Sequence, residues 1–267
     1  MNVICDIDGV VYRGDQLLPG SDRALRRLCE ANVGLYFATN NSTKSPGAVS
    51  KKISSIAGVE IPPDSIVTSS QAAVRLLDGD RGPVMVLGSE GIHSALAEVG
   101  ISITDEPGEA TALLVGLDWD LNYDRLTRAA DAVRAGARFI ATNTDPTYPV
   151  ADGLLPGGGA VVAAVQVATG VAPEIAGKPH PPMRALLRAK GIGEAWVIGD
   201  RMDTDIALAM AEPDWTSILV LTGVTSPDDS QDADHVVPDL ASAVDLVLAS
   251  SPLRSDVPPS GRSRQST

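Results

Sequence analysis

Short apolar runs alternate along the chain with segments whose apolar side chains recur every three or four positions. Residues 3–5, 33–39 and 66–68 read as buried strands, the second of them nearly unbroken and covered on both faces. Between them, Ala24, Leu25, Leu28 and Cys29 share a helical face behind Ser21, a capping residue type. Val49, Ile53 and Ile56 share another behind Ser45-Pro46 and end at Gly58. A third helix starts at Ser69 or Ser70 and runs to Leu77. The order β-α-β-α-β-α predicts a parallel sheet with helices on both faces.

Residues 78–83 (D-G-D-R-G-P) are short, polar and rich in turn formers, which marks a linker. A second alternation follows, with strands at 84–87, 112–115 and 138–141 and helices at 91–99, 122–135 and 160–168. Beyond Pro173 the first pattern resumes. Helices are expected at 183–190, 206–211 and 240–248, strands at 196–198 and 217–221, and an edge strand at 235–237. The predicted organisation is a doubly wound, Rossmann-like α/β unit made of residues 1–80 and 175–249, interrupted by a second α/β unit at 81–174. Residues 250–267, rich in Ser, Pro and Arg without periodicity, are expected to be disordered.

An apolar fraction of 44% with 21% charged residues is ordinary for a globular protein. The formal charge of -13 argues against nucleic acid or an anionic membrane as main partner, since both are held by clustered Lys and Arg. A small phosphorylated ligand needs only a local group of donors. The two cysteines, Cys5 and Cys29, read as buried thiols and not as a disulfide framework. The chain opens on a short strand without the basic region and longer apolar core of a signal peptide, and no run approaches a spanning helix. The expected compartment is therefore the cytoplasm, where the sequons at Asn40 and Asn41 stay unmodified.

Four polar clusters follow the buried strands. Asp6 and Asp8 share one face where the first strand gives out, and Gly9 lets the chain turn away. Two carboxylates so placed repel unless a cation or a proton lies between them. Thr39-Asn40-Asn41 ends the second strand, Lys178 lies in Gly177-Lys178-Pro179, and Asp200 and Asp205 follow a later strand. Singly, each has an ordinary structural reading: a solvated turn, a surface lysine, or acids at a helix start, as Asp203 is read. Together they gather at the C-terminal ends of parallel strands, the edge where open α/β sheets bind ligands. Asp6, Asp8 and Asp200 are hard oxygen ligands suited to Mg2+, and Thr39, loop N–H groups and Lys178 suit a phosphoryl group.

Asp6-Ile7-Asp8-Gly9-Val10, Thr39-Asn40-Asn41, Lys178, and Asp200 with Asp205 resemble the four motifs of the haloacid dehalogenase-like phosphohydrolases. The insert, with Thr142-Asn143-Thr144-Asp145 and Pro156-Gly157-Gly158-Gly159, is similar to the C2-type α/β cap of subclass IIA, which includes NagD-like nucleotidases and p-nitrophenyl, phosphoglycolate and pyridoxal phosphate phosphatases. The resemblance implies a phosphatase in which Asp6 is the nucleophile and Asp8 the general acid/base. Mg2+ would be held by the carboxylates of Asp6 and Asp200 and the main-chain carbonyl of Asp8, with Asp205 and Asn41 supporting those ligands. Thr39, the Asn40 backbone and Lys178 would grip the phosphoryl oxygens. The cap would close over the site, with Asn143, Asp145 and Gly158 reading the leaving group of a small phosphorylated metabolite. Pairing of two copies through the cap is an arrangement the resemblance allows. A phosphotransferase or mutase would use the same chemistry. A dinucleotide-binding module, prompted by Gly157 to Gly159 before a helix, lacks the G-x-G-x-x-G fingerprint after a strand. His93, His180 and His235 read as surface or packing residues, with only His180 near the proposed site.

Overall fold

The first strand, Asn2–Cys5, is wanted on both of its faces: Val3 and Cys5 enter one apolar cluster and Ile4 enters another. The structure, a computed structural model, describes residues 1–79, 82–150 and 152–250. Asp80 and Arg81 of the expected linker lie outside the described residues, as does the expected disordered tail beyond Ser250. Ser250 itself is the C-cap of the helix Leu240–Ala249 and so belongs to the folded part.

Among the described residues six strands form the main sheet, in the spatial order His235–Val237, Trp215–Val220, Ala195–Gly199, Asn2–Cys5, Gly34–Thr39, Ile66–Thr68. All neighbours are parallel, and Cys5 stands level with Ile198 on one side and Phe37 on the other. Strand order reverses beside Asn2–Cys5, so the loops after this strand and its two neighbours open onto one crevice. Ser21–Glu30, Pro46–Ala57 and Leu240–Ala249 cover the Val3/Cys5 face. Ser69–Arg75, Pro181–Ala189 and Ala207–Met210 cover the other. No described helix is long and apolar enough to cross a membrane.

The second sheet is also parallel, in the order Glu174–Ile175, Arg138–Ala141, Ala112–Val115, Val84–Leu87. Ile175 pairs within it, so this unit runs one residue past the expected boundary at 174. Its two faces have different partners. Leu113, Val115 and Phe139 pack under the unit's own helices Tyr123–Arg134 and Gly158–Thr169. Ala112, Leu114 and Ile140, with Ile92 and Leu96 of the helix Glu90–Glu98, join the same cluster as Ala72, Met183 and Leu187 of the main unit. The apolar core is therefore continuous from one sheet to the other.

Several local expectations are corrected. Gly20, in the left-handed region at φ 81°, precedes the first helix; Ser21 is already inside it and donates to the Val10 carbonyl. Thr68, not Ser69 or Ser70, caps the third helix, in a reciprocal capping box with Gln71. Cys29 is exposed, being one position past the buried stripe of Ala24, Leu25 and Leu28. The helix expected at 206–211 is a π-turn, Met202–Ile206, leading into Ala207–Met210. Two hairpins escape sequence patterning: Tyr12–Arg13 with Gln16–Leu17, and Thr147–Val150 with Gly153–Pro156.

Because Leu96 is fully buried in the cluster that both units share, Leu96→Ala is expected to destabilise the whole chain by about 3 kcal/mol. Urea unfolding read by Trp119 of the second unit and by Trp196 and Trp215 of the first should keep a single transition at a lower midpoint. Separate transitions for the two units would contradict a shared core.

Candidate active site

Asp6 extends the strand pairing one step beyond Cys5, its N–H donating to the Ile198 carbonyl at 2.8 Å. This fixes its side chain at the mouth of the crevice. Lys178 Nζ lies 2.5 Å from Asp6 Oδ1 and 2.6 Å from Asp205 Oδ1, with all three side chains almost wholly buried. The second oxygen of Asp205 accepts from the Arg201 N–H at 3.2 Å. The second oxygen of Asp6 carries no hydrogen bond among the described residues, and Asp6 lines a cleft shared with Thr39, Asn143, Tyr148 and Asp200.

Asn40 holds the lysine from behind. Its Oδ1 accepts from the Lys178 N–H at 2.7 Å, and its Nδ2 donates to the Lys178 carbonyl at 3.3 Å and to Asp145 Oδ1 at 2.9 Å. Gly177 is required there, since a Cβ would stand 2.5 Å from Asn40 Oδ1. The Asn40 carbonyl accepts from Asn143 Nδ2 at 2.7 Å and from Ser69 Oγ at 2.6 Å. Asn143 and Asp145, expected to read the leaving group, here tie the second unit to the loop that follows Gly34–Thr39.

Thr39 Oγ1 accepts from the Asn41 N–H at 3.0 Å, which leaves its own proton for the cleft. Asn41 Oδ1 accepts from the Thr43 N–H at 3.0 Å and from Thr43 Oγ1 at 2.7 Å. Its Nδ2 therefore faces Asp8 Oδ2 and Tyr148 Oη, each at 3.4 Å. Asp8 Oδ1 is buried without a hydrogen-bond partner among the described residues.

Asp200 is shaped by glycines. A Cβ on Gly223 would fall 1.6 Å from Asp200 Oδ2 and one on Gly9 2.7 Å from it, and Gly9 also needs its positive φ of 93°. Asp200 Oδ2 accepts from the Val224 N–H at 3.0 Å, whereas Oδ1 is buried and has no hydrogen-bond partner among the described residues.

Asp6, Asp200 and Asp205 each bring an oxygen within 4.8 Å of the others, against the single ammonium of Lys178. Burial pushes the Asp6 pKa well up, with Asp205 and Asp200 adding to the shift and Lys178 opposing it. Burial, then repulsion from Asp205, pushes Asp200 up to about 7. Burial also raises Asp8, with Asn41 opposing, and Asp145, with Arg201 opposing. At Lys178 burial works against the charge, but Asp205 and Asp6 outweigh it and hold the pKa above its ordinary value. Fully ionised, three carboxylates against one ammonium would leave two negative charges, and Asp200 Oδ1 is a hard oxygen with no hydrogen-bond partner among the described residues. The set fits a divalent cation.

Every residue singled out from sequence for the site lines this one cleft, while His180 does not and stands at the N-cap of Pro181–Ala189. Sequence reasoning missed Gly223, Arg201 and Leu117. It also missed Tyr148, whose ring meets Trp119 edge-on at 5.9 Å.

Residues 3–102 match the family model of haloacid dehalogenase-like hydrolases, and residues 175–243 match a second, HAD-hydrolase-like model. The chain belongs to the haloacid dehalogenase-like hydrolases. The two matches flank the middle of the second sheet, which is the NagD-like α/β cap of subclass IIA. The chain is 38% identical over 242 residues to D-glycerol 3-phosphate phosphatase of Mycobacterium tuberculosis, covering 88% of this chain and 66% of that one, just under two thirds of its length. It is 33% identical over 237 residues to acid sugar phosphatase of Staphylococcus haemolyticus, covering 87% of this chain and 89% of that one. A crystal structure of glycerol phosphate phosphatase from M. tuberculosis in complex with magnesium matches with a TM-score of 0.81 at 36% identity, over 90% of this chain and 75% of that one. This HAD-like hydrolase is a phosphatase.

Gly223→Ala drives a methyl group into Asp200 Oδ2, so Mg2+ affinity, read from the cation dependence of phosphate release, is expected to fall about 10- to 100-fold with the fold retained. Gly47→Ala, where a Cβ meets nothing within 4 Å, is the control. Wild-type Mg2+ dependence in Gly223→Ala would show that Asp200 is not a ligand.

Proposed function

We propose that this HAD-like phosphatase is a Mg2+-dependent phosphomonoesterase that hydrolyses a small phosphorylated sugar or polyol through an aspartyl-phosphate on Asp6. The observation that carries this reading is the asymmetry of Asp6: Lys178 holds Oδ1, and Oδ2 has no hydrogen bond among the described residues, in a residue that lines the cleft. The relatives' substrates support the sugar or polyol class. In this reading residues 1–80 and 176–249 are the catalytic unit and 81–175 the cap.

Mg2+ would be held by the carboxylates of Asp6 and Asp200 and the main-chain carbonyl of Asp8, and when bound it supplies positive charge that offsets repulsion between Asp6 and the phosphate dianion. Asp6 Oδ2 attacks phosphorus while the bond to the leaving oxygen breaks. Asp8 gives its proton to that oxygen; burial, which raises its pKa, favours the protonated start, and Oδ1 is the oxygen with no hydrogen-bond partner among the described residues. In the second half Asp8 takes a proton from water as the water attacks the aspartyl-phosphate and the bond from phosphorus to Asp6 breaks. Thr39 Oγ1–H, the Asn40 N–H and Lys178 Nζ supply donors for the equatorial oxygens. A phosphotransferase would share the first half and differ only in what accepts the phosphoryl group.

Asp6→Asn keeps the shape and removes the nucleophile, so phosphate release is expected to fall by about 1,000-fold or more, with no phosphate left on the protein after acid quench. Full activity in this variant would rule out the covalent route. Chelation with EDTA should abolish turnover and added Mg2+ restore it; activity that survives EDTA would remove the metal from the reading.

A further inference from the structure

Asn41 stands between Asp8 and the cap. Its Nδ2 reaches Asp8 Oδ2 and Tyr148 Oη, each at 3.4 Å, the second of them on the strand Thr147–Val150. Contacts this long do little to hold a side chain in place. A primary amide can also turn over about its last bond, exchanging oxygen for nitrogen with almost no change of shape. What decides its orientation lies on its other side.

Asn41 Oδ1 meets two groups of Thr43, the N–H at 3.0 Å and Oγ1 at 2.7 Å. A backbone N–H can only donate, so the atom opposite it must be the amide oxygen, and the hydroxyl proton then has the same target. Thr43 is itself held. Its side chain is buried, its carbonyl accepts from the Gly91 N–H at 3.2 Å, and a Cβ on Gly91 would stand 2.8 Å from the Lys44 nitrogen. The loop carrying Thr43 therefore lies directly against the start of the helix Glu90–Glu98. Both hydrogens of the amide are thereby turned away from Thr43, toward Asp8 and Tyr148. Thr43 does not line the cleft, so whatever it does there it does through Asn41.

This orientation constrains the acid. Facing an N–H donor, Asp8 Oδ2 accepts, which leaves Oδ1, buried and without a hydrogen-bond partner among the described residues, as the oxygen to carry the proton. A reversed amide would set its oxygen against Asp8 Oδ2 and draw the proton to that side. We propose that Thr43 is a positioning residue for the acid step: by fixing the Asn41 amide it keeps Oδ2 of Asp8 an acceptor and the transferable proton on Oδ1. As the bond from phosphorus to the leaving oxygen breaks and the bond to Asp6 forms, that proton passes to the leaving oxygen and Asp8 is left as a carboxylate. The inference rests on the phosphomonoesterase reading above and adds a residue that acts without touching substrate.

Proton delivery matters most for a poor leaving group: glycerol departs as an alkoxide unless it is protonated, whereas p-nitrophenolate is stable without a proton. Both esters would form the same aspartyl-phosphate, and kcat/KM reports the steps up to it. In the full chain with Mg2+, Thr43→Val keeps the shape and the N–H bond and removes the hydroxyl. It is expected to lower the ratio of kcat/KM for glycerol 3-phosphate to that for p-nitrophenyl phosphate about tenfold. Thr43→Ser, which restores the hydroxyl, should bring the ratio to within about twofold of wild type. Asn41→Ala should lower the ratio at least as much, and adding Thr43→Val to it should lower it no further, because the hydroxyl acts through the amide. A loss shared equally by both esters would mark a merely structural residue and overturn the proposal, as would an unchanged ratio in Thr43→Val or additive losses in the double variant. If thermal melting shows Thr43→Val unfolded, Asn41→Ala carries the test, and an unchanged ratio there overturns the proposal too. A wild-type chain that cleaves neither ester removes the phosphomonoesterase reading and this inference with it; cleavage of both with unmoved ratios removes only the role of Thr43.

Discussion

A lysine ammonium buried between two carboxylates is the contact on which this site is laid out. Charge that deep is tolerated only when its partners are close and fixed, and both conditions are met at Lys178. Asp6 is fixed by the strand it ends, and Asp205 by the Arg201 N–H and by Gly199, where a Cβ would lie 2.1 Å from the Asp205 Cβ. The lysine backbone is gripped by the amide of Asn40, so three strand ends and the chain returning from the cap meet at one side chain. The open oxygen of Asp6 follows from this: the ammonium engages Oδ1 and leaves Oδ2 without a hydrogen bond among the described residues.

The catalytic half of this arrangement is legible in the sequence because the strands that carry it are inside strands. Covered on both faces, they appear as unbroken apolar runs, and a polar residue directly after such a run must lie at the sheet edge. Asp6, Thr39 and Asp200 all follow that rule. What is not legible depends on contacts through space. Tyr148 acquires a defined donor only because Thr43, far away in sequence, turns the amide of Asn41. Gly223 matters only because the Asp200 carboxylate occupies the place of its missing side chain.

The smaller misreadings have similar causes. Thr68 ends a strand and caps the next helix at once, so a search for a separate capping residue settles one or two positions too late. The Thr147–Val150 strand contains Pro149 and pairs only with Gly153–Pro156, too short and too interrupted to produce an alternating pattern. Yet this hairpin supplies Tyr148 and Pro149 to the cleft wall, so the part of the chain least visible to patterning lines the same cleft as Asp6.

The continuous core has a consequence for how the two halves can change. Leu113, Val115 and Phe139 answer only to helices of the cap itself, and their volumes can be traded within that unit. Ala112, Leu114 and Ile140 share a cluster with Ala72, Ala73 and Met183, so a methyl group gained on one side of the seam must be given up on the other. Alternate residues of the same cap strands therefore obey two separate volume constraints, one local and one set by the catalytic sheet. A cap grafted from another chain would have to match this seam before its side of the cleft could meet Asp6.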